Sequence, residues 1–432
     1  MAISEVFRSS QERLKTFGPD IHEYRAVKRQ TETRSSYGWV IVTTAAFGLF
    51  LGVFPIFVSS FPVFFPAFLR EFHAGRGAIS LAFTICNTVT ACIAPIVGWL
   101  CDRAGARPVI LASLVLFGSG LIASQRIGSQ LWELYLFSLV LGVAAPGTNS
   151  IAYGLVVSRW FNRHRGLALG LMMVGAGVGA IVMPSLARML IASHGWRATY
   201  TGFGCAALLV AVPVVAVFLK EGPPSLSQSA GAEVAEGCSW RESRNSGSLW
   251  LMIVVFVLVS ASVQACFIHL AQLMTDHGAT PAIAALAASL SGAALLAGRV
   301  GTGYFLDRYS GPQVARVIFA GAALGIGLLA IRTSSVMFVG AFLIGLGLGA
   351  EADIIAYLLG RYFGLRSFGT IFGFAFGLFV LAGGIGPLLM GIAFDHTGSY
   401  RLALAGFCLA TALAAVLVGR LGPYRFDVKG EN

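Results

Sequence analysis

Ionisable residues inside long apolar stretches are the first feature of this sequence that could do chemistry. Arg299 lies in the apolar stretch 281–305, and Glu351 and Asp353 lie in the stretch 335–360. A charged side chain is costly inside a membrane, so such residues usually face a cavity and bind or move ions. The planar fork of a guanidinium suits a carboxylate. Arg299 is therefore predicted to bind an anion, with a structural pair to an acid on a neighbouring helix as the alternative.

The spacing of the two acids gives them different surroundings. Arg299 lies 8 residues before Asp307, and Glu351 and Asp353 lie 10 and 8 residues before Arg361. At 1.5 Å per residue all three are roughly 12 to 15 Å deep in a hydrocarbon core about 30 Å thick. Residues at i and i+2 do not share a helix face. One acid is expected to take up a proton with the ligand or to pair with Arg299, while the other faces elsewhere.

A buried histidine is the remaining titratable candidate. His269 lies 7 residues before Asp276, which is expected in the loop that follows. Histidine titrates near neutrality, which suits a proton relay or gate. A packing histidine is the alternative interpretation.

These residues must be positioned by membrane helices. The chain has 432 residues, of which 56% are hydrophobic and 11% charged, whereas soluble domains carry about 25% charged residues. The sequence therefore predicts an all-α membrane protein with twelve transmembrane helices in two six-helix bundles. The predicted spans are 38–64, 77–98, 108–125, 131–158, 166–190, 198–219, 248–273, 281–305, 313–331, 335–360, 369–394 and 402–419.

Polar segments divide the chain into regions. The stretch 220–247 contains Pro223 and Pro224 with several serines and glycines, which indicates a flexible linker. The predicted regions are a cytoplasmic N-terminal tail 1–36, an N-terminal bundle 37–219, the cytoplasmic linker 220–247, a C-terminal bundle 248–420 and a cytoplasmic tail 421–432. The N-terminal region has no signal-peptide core, so no cleavage is expected.

Lys and Arg residues predict the orientation. With a cytoplasmic N-terminus, 22 of the 30 Lys and Arg residues fall in cytoplasmic segments and 7 on the opposite side. This asymmetry predicts an inner-membrane protein with both termini in the cytoplasm. It also accounts for the net charge of +11, so binding to nucleic acid is not needed to explain that charge.

The chain repeats itself at an offset of about 204 residues. Arg197 returns as Arg401, Asn149 as Asp353, and Tyr153 as Tyr357. Duplicated bundles with a site between them are common among transporters, whose halves rock about a site near the midplane. Asn149, Tyr153 and Tyr357 are candidates for hydrogen bonds to a substrate, with interhelical contact as the alternative.

A motif between the second and third spans carries a family resemblance. It consists of Gly98, Asp102, Arg103, Gly105 and Arg107, and a second copy follows the eighth span as Gly303, Asp307 and Arg308. With this motif, residues 37–420 resemble the major facilitator superfamily. The resemblance implies the major facilitator fold and a motif that gates the two states of the transport cycle.

Three further features resemble the monocarboxylate transporter and oxalate/formate antiporter group. They are the sequence Tyr37-Gly38-Trp39, the segment 160–170, and Arg299 within the eighth span. The resemblance implies that Arg299 binds a substrate carboxylate. The chain departs from the group at Leu295, where animal monocarboxylate transporters carry Asp, and between 369 and 394, where it has no lysine.

Other chemistries have no signature. The seven cysteines are scattered, and no metal-ligand cluster, catalytic triad or GxxxxGK[ST] motif is present. Glycine-rich segments lie inside apolar helices, where they favour close packing. No enzyme activity, cofactor or metal is expected.

Three functions remain open on the sequence. The first is secondary transport of a small organic anion, a monocarboxylate above all, by proton symport or anion exchange, with the protein working as a monomer. The second is proton-driven export of cationic or amphiphilic compounds bound by Glu351 and Asp353. The third is a transporter-like sensor, which the absence of large soluble domains disfavours.

Overall fold

The computed structural model describes residues 37–161, 165–222, 237–331, 333–364 and 366–426. Nearly all of them are helical, and the β contact in this part of the chain is one isolated bridge between Gly237 and Gly364. The predicted tail 1–36 lies outside the described residues, as do 223–236 of the linker and 427–432 of the C-terminal tail.

The first half of the chain forms six spans. Their helices are Tyr37–Ser59, continued by Phe61–Phe72; Arg76–Ala104; Ala106–Ala123; Leu131–Ala144 with Ser150–Trp160; and Arg165–Ala206, continued by the π-helical turn Ala207–Ala211 and by Val212–Phe218. Short 3₁₀ turns follow the third span and divide the fourth, at Ser124–Arg126 and Pro146–Thr148.

The second half forms six more. A short helix, Trp240–Arg244, precedes them with a complete capping box at Ser239. The spans are Gly247–Asp276, Pro281–Leu306, Gly311–Leu329, Ser334–Phe363, Phe368–Thr397 and Arg401–Val418.

The described helices account for the predicted number of spans. Ten are long and apolar enough to cross a membrane, and the bent pair Leu131–Ala144 and Pro146–Trp160 makes eleven. The segment Leu167–Phe218 has 52 residues, or about 78 Å of helix, which is more than two hydrocarbon cores. Gly195 breaks it with φ 80°, so it supplies the fifth and sixth spans and brings the total to twelve.

The first span, predicted over 38–64, ends at Ser59 and is followed by a second helix. The helix begins at Tyr37, changes to a π-helical turn at Phe54–Ser59, and resumes as Phe61–Phe72. Pro55 lies at the start of the π turn and Pro62 at the start of the next helix. Proline has no N–H to donate, so it marks where the regular hydrogen-bond ladder changes.

Among the described residues, the main contact between the halves lies on one side of the molecule. We call the side where the described chain begins and ends the terminal side, and the opposite side the far side. The second span packs on the eleventh and the fifth on the eighth. One apolar core joins the far-side part of the first half, around Phe61, to the second half, around Phe256. A separate core around Ile41 and Tyr153 is confined to the terminal side of the first half.

Glycines on these four spans show the same asymmetry. On the far side, Gly384 packs on Asn87, and Gly292 packs on the backbone of Ala180. Towards the terminal side, six glycines have no described atom within 4 Å of the position of a β-carbon: Gly98, Gly170, Gly303, Gly369, Gly373 and Gly377. The structure is therefore closed on the far side and open towards the terminal side.

Candidate functional site

Arg299 lies on the face of the eighth span that is turned to the first half. Leu296 packs on Gly177 one turn towards the far side, and Gly292 packs on Ala180 two turns away. About three turns away, the Oγ atoms of Ser289 and Ser185 are 2.9 Å apart. These contacts recur every three or four residues, which is the period of one helix face. Arg299 is the next position on that face, where the halves have separated, so its side chain lies at the opening between them.

Tight packing brings the tenth span beside Arg299. Gly298 lies against the backbone of Leu346, and Gly349 lies against the backbone of Leu295. Glycine permits such close approach of two helices in a membrane. Asp353, one turn beyond Gly349, is consequently placed next to the guanidinium.

The pair between Arg299 and Asp353 is loose. Arg299 Nε lies 3.6 Å from Asp353 Oδ2, and the side chains are 26% and 40% exposed. Within the described part of the chain, Nε has no hydrogen-bond partner. An arginine forms its strongest contact with a carboxylate through two shorter parallel hydrogen bonds. This guanidinium therefore retains the capacity to bind a second carboxylate.

Glu351 has different surroundings. It is 2% exposed, and its Oε2 has no hydrogen-bond partner among the described residues. One turn earlier, Gly347 faces Ala322 of the ninth span and Val263 of the seventh. Glu351 thus lies on the side of the tenth span that is turned into the second half, and the charge of Arg299 acts on both acids.

His269 is buried near the far side, away from Arg299. Its Nε2 lies 3.0 Å from the Pro387 carbonyl oxygen and 3.0 Å from Ser80 Oγ, and its Nδ1 lies 2.9 Å from the Tyr400 hydroxyl. A carbonyl oxygen only accepts, so Nε2 carries a hydrogen, and in the neutral form of the ring Nδ1 accepts from the Tyr400 hydroxyl. His269 therefore links the second span to the eleventh.

Three predicted hydrogen-bonding residues have contacts of their own within the protein. Asn149 caps the helix Ser150–Trp160 by accepting from the Ser150 N–H at 2.7 Å. Tyr153 is fully buried, and its hydroxyl, which packs against Gly48, has no hydrogen-bond partner in the described part of the chain. The Tyr357 hydroxyl donates to the Leu306 carbonyl at 3.4 Å. Their role in binding stays a prediction.

The end of the gating motif is anchored within the first half. Gly105 has φ 90° between the second and third spans, a conformation that favours glycine. The Arg107 N–H donates to Glu221 Oε1 at 3.0 Å, and its guanidinium donates to the Ala216 carbonyl. Glu221 also lies 3.7 Å from Arg159. Sequence analysis does not identify Glu221, because its contacts are 62 and 114 residues away along the chain.

The rest of the motif borders the opening. At Gly98, no described atom outside its own helix backbone lies within 4 Å of the position of a β-carbon. The Arg103 guanidinium lies 5.3 Å from the centre of the Trp99 ring. The side chain of Asp102 lies outside the described part of the structure.

The second copy of the motif lies at the end of the eighth span. Gly303 is on the open face, and Asp307 is the C-cap residue of the helix. The Arg308 guanidinium lies 3.6 Å from the Tyr304 ring centre and donates to the Tyr304 carbonyl at 3.3 Å. These contacts of Arg308 are with the last turn of the eighth span.

The sequence also does not predict two ion pairs on the far side. Asp276 is the last residue of the seventh span rather than a loop residue, and it pairs with Arg76. Arg197 donates to Glu71 Oε1 at 2.7 Å and to the carbonyls of Ile127 and Gly128. The hydrogen bond from Arg197 holds the pKa of the Glu71 carboxyl below its usual value.

The comparison with known families decides the class of the protein. The sequence profile of the Major Facilitator Superfamily matches residues 45–331 and again 260–429. The chain belongs to the Major Facilitator Superfamily. It is a multi-pass membrane transporter for a small molecule and not an enzyme, and the predicted fold is confirmed.

Named relatives agree with the predicted group. The chain is 27% identical to monocarboxylate transporter 11 of Homo sapiens over 396 residues, which cover 87% of this chain and 80% of the relative. It is 27% identical to monocarboxylate transporter 13 of Rattus norvegicus over 401 residues, with coverage of 89% and 88%. The predicted resemblance to monocarboxylate transporters is thereby confirmed.

A solved structure shows the same fold. The bacterial homologue of the human lysosomal transporter Spinster, in an inward-facing and occupied conformation, superposes with a TM-score of 0.66 at 14% identity. The match covers 89% of this chain and 94% of the other.

Proposed function

We propose that this member of the superfamily carries a small monocarboxylate across the membrane by alternating access, together with a proton. The observation that carries the proposal is the loosely paired guanidinium of Arg299 at the opening between the halves. A guanidinium is matched in shape and charge to one carboxylate group. The substrate class named for the relatives supports the same assignment.

The charges at the site supply a reason for proton coupling. Arg299 and Asp353 together are neutral, so a bound carboxylate leaves one net negative charge in a space bounded by apolar helices. A proton on Asp353 restores neutrality and frees the guanidinium for the substrate. The loaded site then carries no net charge when the halves rock, which avoids the cost of moving an unpaired charge through the membrane.

Asp353 also explains why this chain can differ from animal monocarboxylate transporters at Leu295. Animal monocarboxylate transporters carry an Asp at that place, one turn before the arginine of the same helix. In this chain Leu295 is buried against Gly349 of the tenth span. The carboxylate beside Arg299 comes from that neighbouring helix instead, so the same charge pair is built from two spans.

Glu351 is proposed to act as a neutral, buried acid. Burying an ionised carboxylate among apolar helices costs several kcal/mol, and the protonated form avoids this cost. Glu351 packs inside the second half while Asp353 is 40% exposed. Asp353 is therefore the group that exchanges its proton with each cycle.

The proposal includes the orientation of the protein in the membrane and the movement of its two halves. The terminal side faces the cytoplasm of a cell whose inner membrane holds the protein, because the Lys and Arg residues are concentrated there. The bundles 37–219 and 248–420 rock about the site. The glycines of the gating motif, Gly98 and Gly303, approach the opposite half when the terminal side closes.

Uptake by proteoliposomes tests the function. Purified protein is reconstituted with an alkaline interior and offered labelled monocarboxylates of two to eight carbons, dicarboxylates and organic cations. We expect one or more monocarboxylates to accumulate only with the pH gradient. Arg299→Ala should abolish accumulation, and Arg401→Ala, which removes an exposed arginine at the start of the twelfth span, should not.

Two other outcomes would contradict the proposal. Accumulation that needs a carboxylate inside the vesicles, and ignores the pH gradient, identifies anion exchange. Movement of organic cations alone identifies the second function considered from the sequence.

A further inference from the structure

The far-side contact between the halves is concentrated at the first turn of the second span. The Arg76 guanidinium donates to both oxygens of Asp276 at 2.5 and 3.0 Å, and to the Tyr400 hydroxyl at 2.7 Å. Asp395 accepts from the backbone N–H groups of Arg76 and Gly77 at 2.8 and 2.7 Å. We call Arg76, Asp276, Asp395 and Tyr400 the outer clamp.

Each part of the outer clamp suits a closed interface. A bidentate pair between a guanidinium and a carboxylate has a defined geometry as well as charge. The Asp395 carboxylate lies against the N-terminus of the second span, where the free N–H groups and the helix dipole favour a negative charge. The Arg76 side chain also lies over the Phe394 ring, 3.6 Å from its centre, and the side chains of the ion pair are only 12% and 30% exposed.

A second layer lies beneath the outer clamp. His269 holds Ser80 of the first half and the Pro387 carbonyl of the second half through Nε2. The Tyr400 hydroxyl joins the layers, since it accepts from Arg76 and is hydrogen-bonded to His269 Nδ1. Thr84 adds a hydrogen bond to the Gly384 carbonyl one turn deeper. The contact thus extends from the far-side end into the apolar interior.

The partners of every clamp contact belong to opposite halves. Arg76 and Gly77 begin the second span, whereas the acids and Tyr400 belong to the seventh span, the eleventh span and the residue before the twelfth. The far-side pair between Arg197 and Glu71 differs, because both of its residues lie in the first half. Movement of the halves must break the outer clamp and leaves the Arg197–Glu71 pair intact.

We infer that the outer clamp is the far-side gate of the transport cycle, and that its strength sets the balance between the state open to the terminal side and the state open to the far side. The inference rests on alternating access by the proposed transporter. It does not depend on the substrate or on Arg299. Loss of one clamp carboxylate is expected to move the balance about tenfold towards far-side opening, since one charge-assisted hydrogen-bonded pair is removed.

Hydrogen–deuterium exchange of the full-length protein in lipid nanodiscs, without substrate, tests the inference. Asp276→Asn and Asp395→Asn should speed exchange in 73–84, at the far-side end of the second span. They should also slow exchange at the terminal side, in 95–105 and 366–378, because that side closes when the far side opens.

Tyr400→Phe provides a milder variant, in case the loss of a carboxylate prevents folding. It keeps the ring and removes the hydroxyl between Arg76 and His269, so it should shift exchange in the same directions by a smaller factor. Glu71→Gln is the matched control, since it breaks a far-side ion pair within one half. It should leave terminal-side exchange at the wild-type value.

The paired readout separates gating from local loosening. Faster far-side exchange with unchanged terminal-side exchange would overturn the inference, because it reports only a frayed helix end. The same holds if Glu71→Gln slows terminal-side exchange as much as the clamp variants do. A protein that fails to move any carboxylate but shows the opposed changes would refute the proposed substrate and retain the gate.

Discussion

Replacing Asp353 by asparagine should separate carboxylate binding from proton coupling. The amide keeps the size of the side chain but cannot take up a proton or balance the charge of Arg299. We expect Asp353→Asn to bind the monocarboxylate and to exchange it across the membrane. It should lose accumulation driven by a pH gradient.

The size of both effects follows from the structure. Unit charges 3.6 Å apart attract by about 1 kcal/mol in water and by about 5 kcal/mol at an effective dielectric constant of 20. Because the side chains are 26% and 40% exposed, screening places the pair at about 0.5 to 1 kcal/mol. Removal of Asp353 should therefore tighten carboxylate binding about two- to fivefold.

The transport effect is larger than the binding effect. One proton carried with each carboxylate allows about tenfold accumulation for each pH unit. Wild-type vesicles should approach this ratio, and Asp353→Asn vesicles should stop at equal concentrations on both sides. Glu351→Gln serves as the comparison, because a buried acid that stays protonated is mimicked by an amide, and its accumulation should persist. Accumulation that survives in Asp353→Asn, or is lost only in Glu351→Gln, would refute this assignment of the proton.

Two further predictions concern packing and pH. Gly349→Ala should lower the free energy of unfolding by about 1 to 3 kcal/mol and impair transport, because a β-carbon at Gly349 meets the backbone of Leu295. Gly369→Ala is the control, since no described atom lies within 4 Å of a β-carbon there, and it should change the free energy of unfolding by less than about 0.5 kcal/mol. Equal losses in the two variants would contradict the packing argument. The hydrogen bond from Arg197 lowers the pKa of Glu71 in the folded protein below its ordinary value of 4.5. The ionised Glu71 therefore stabilises the folded protein fully above pH 4.5, and this stabilisation is lost as the pH falls through the lower pKa of the folded state. The melting-temperature difference between wild type and Glu71→Gln should thus be constant near neutrality and shrink in acid, and a difference that grows in acid would reverse the sign.

The helices and the repeat can be predicted because their signals are local. Apolar runs and the lack of charge determine each span, and the repeat shows that the chain folds as two related halves. The break between the fifth and sixth spans is also anticipated by sequence, although the helix is continuous there except for Gly195. The π-helical turn at Phe54–Ser59 is not, because Pro55 and Pro62 show where the hydrogen-bond ladder changes but not which kind of turn forms there.

The candidate site is predictable in part. A deep arginine and two deep acids are visible as interruptions of apolar stretches, and the i, i+2 spacing separates Glu351 from Asp353. Which acid faces Arg299 depends on how Gly298 and Gly349 pack the eighth and tenth spans, and periodicity does not fix that register. The outer clamp joins Arg76 to residues 200 to 324 positions later in the chain, and no local pattern pairs such distant residues.

The central claim is that Arg299 holds the carboxylate of the substrate, and ligand-induced stabilisation measures it most directly. Purified wild type, Arg299→Ala, Arg299→Lys and Arg401→Ala are melted with increasing concentrations of the monocarboxylate that wild type transports. A ligand that binds only the folded protein raises the melting temperature by mass action. We predict stabilisation in wild type and Arg401→Ala, a weaker effect in Arg299→Lys, and none in Arg299→Ala. Equal stabilisation of Arg299→Ala and wild type would contradict the claim.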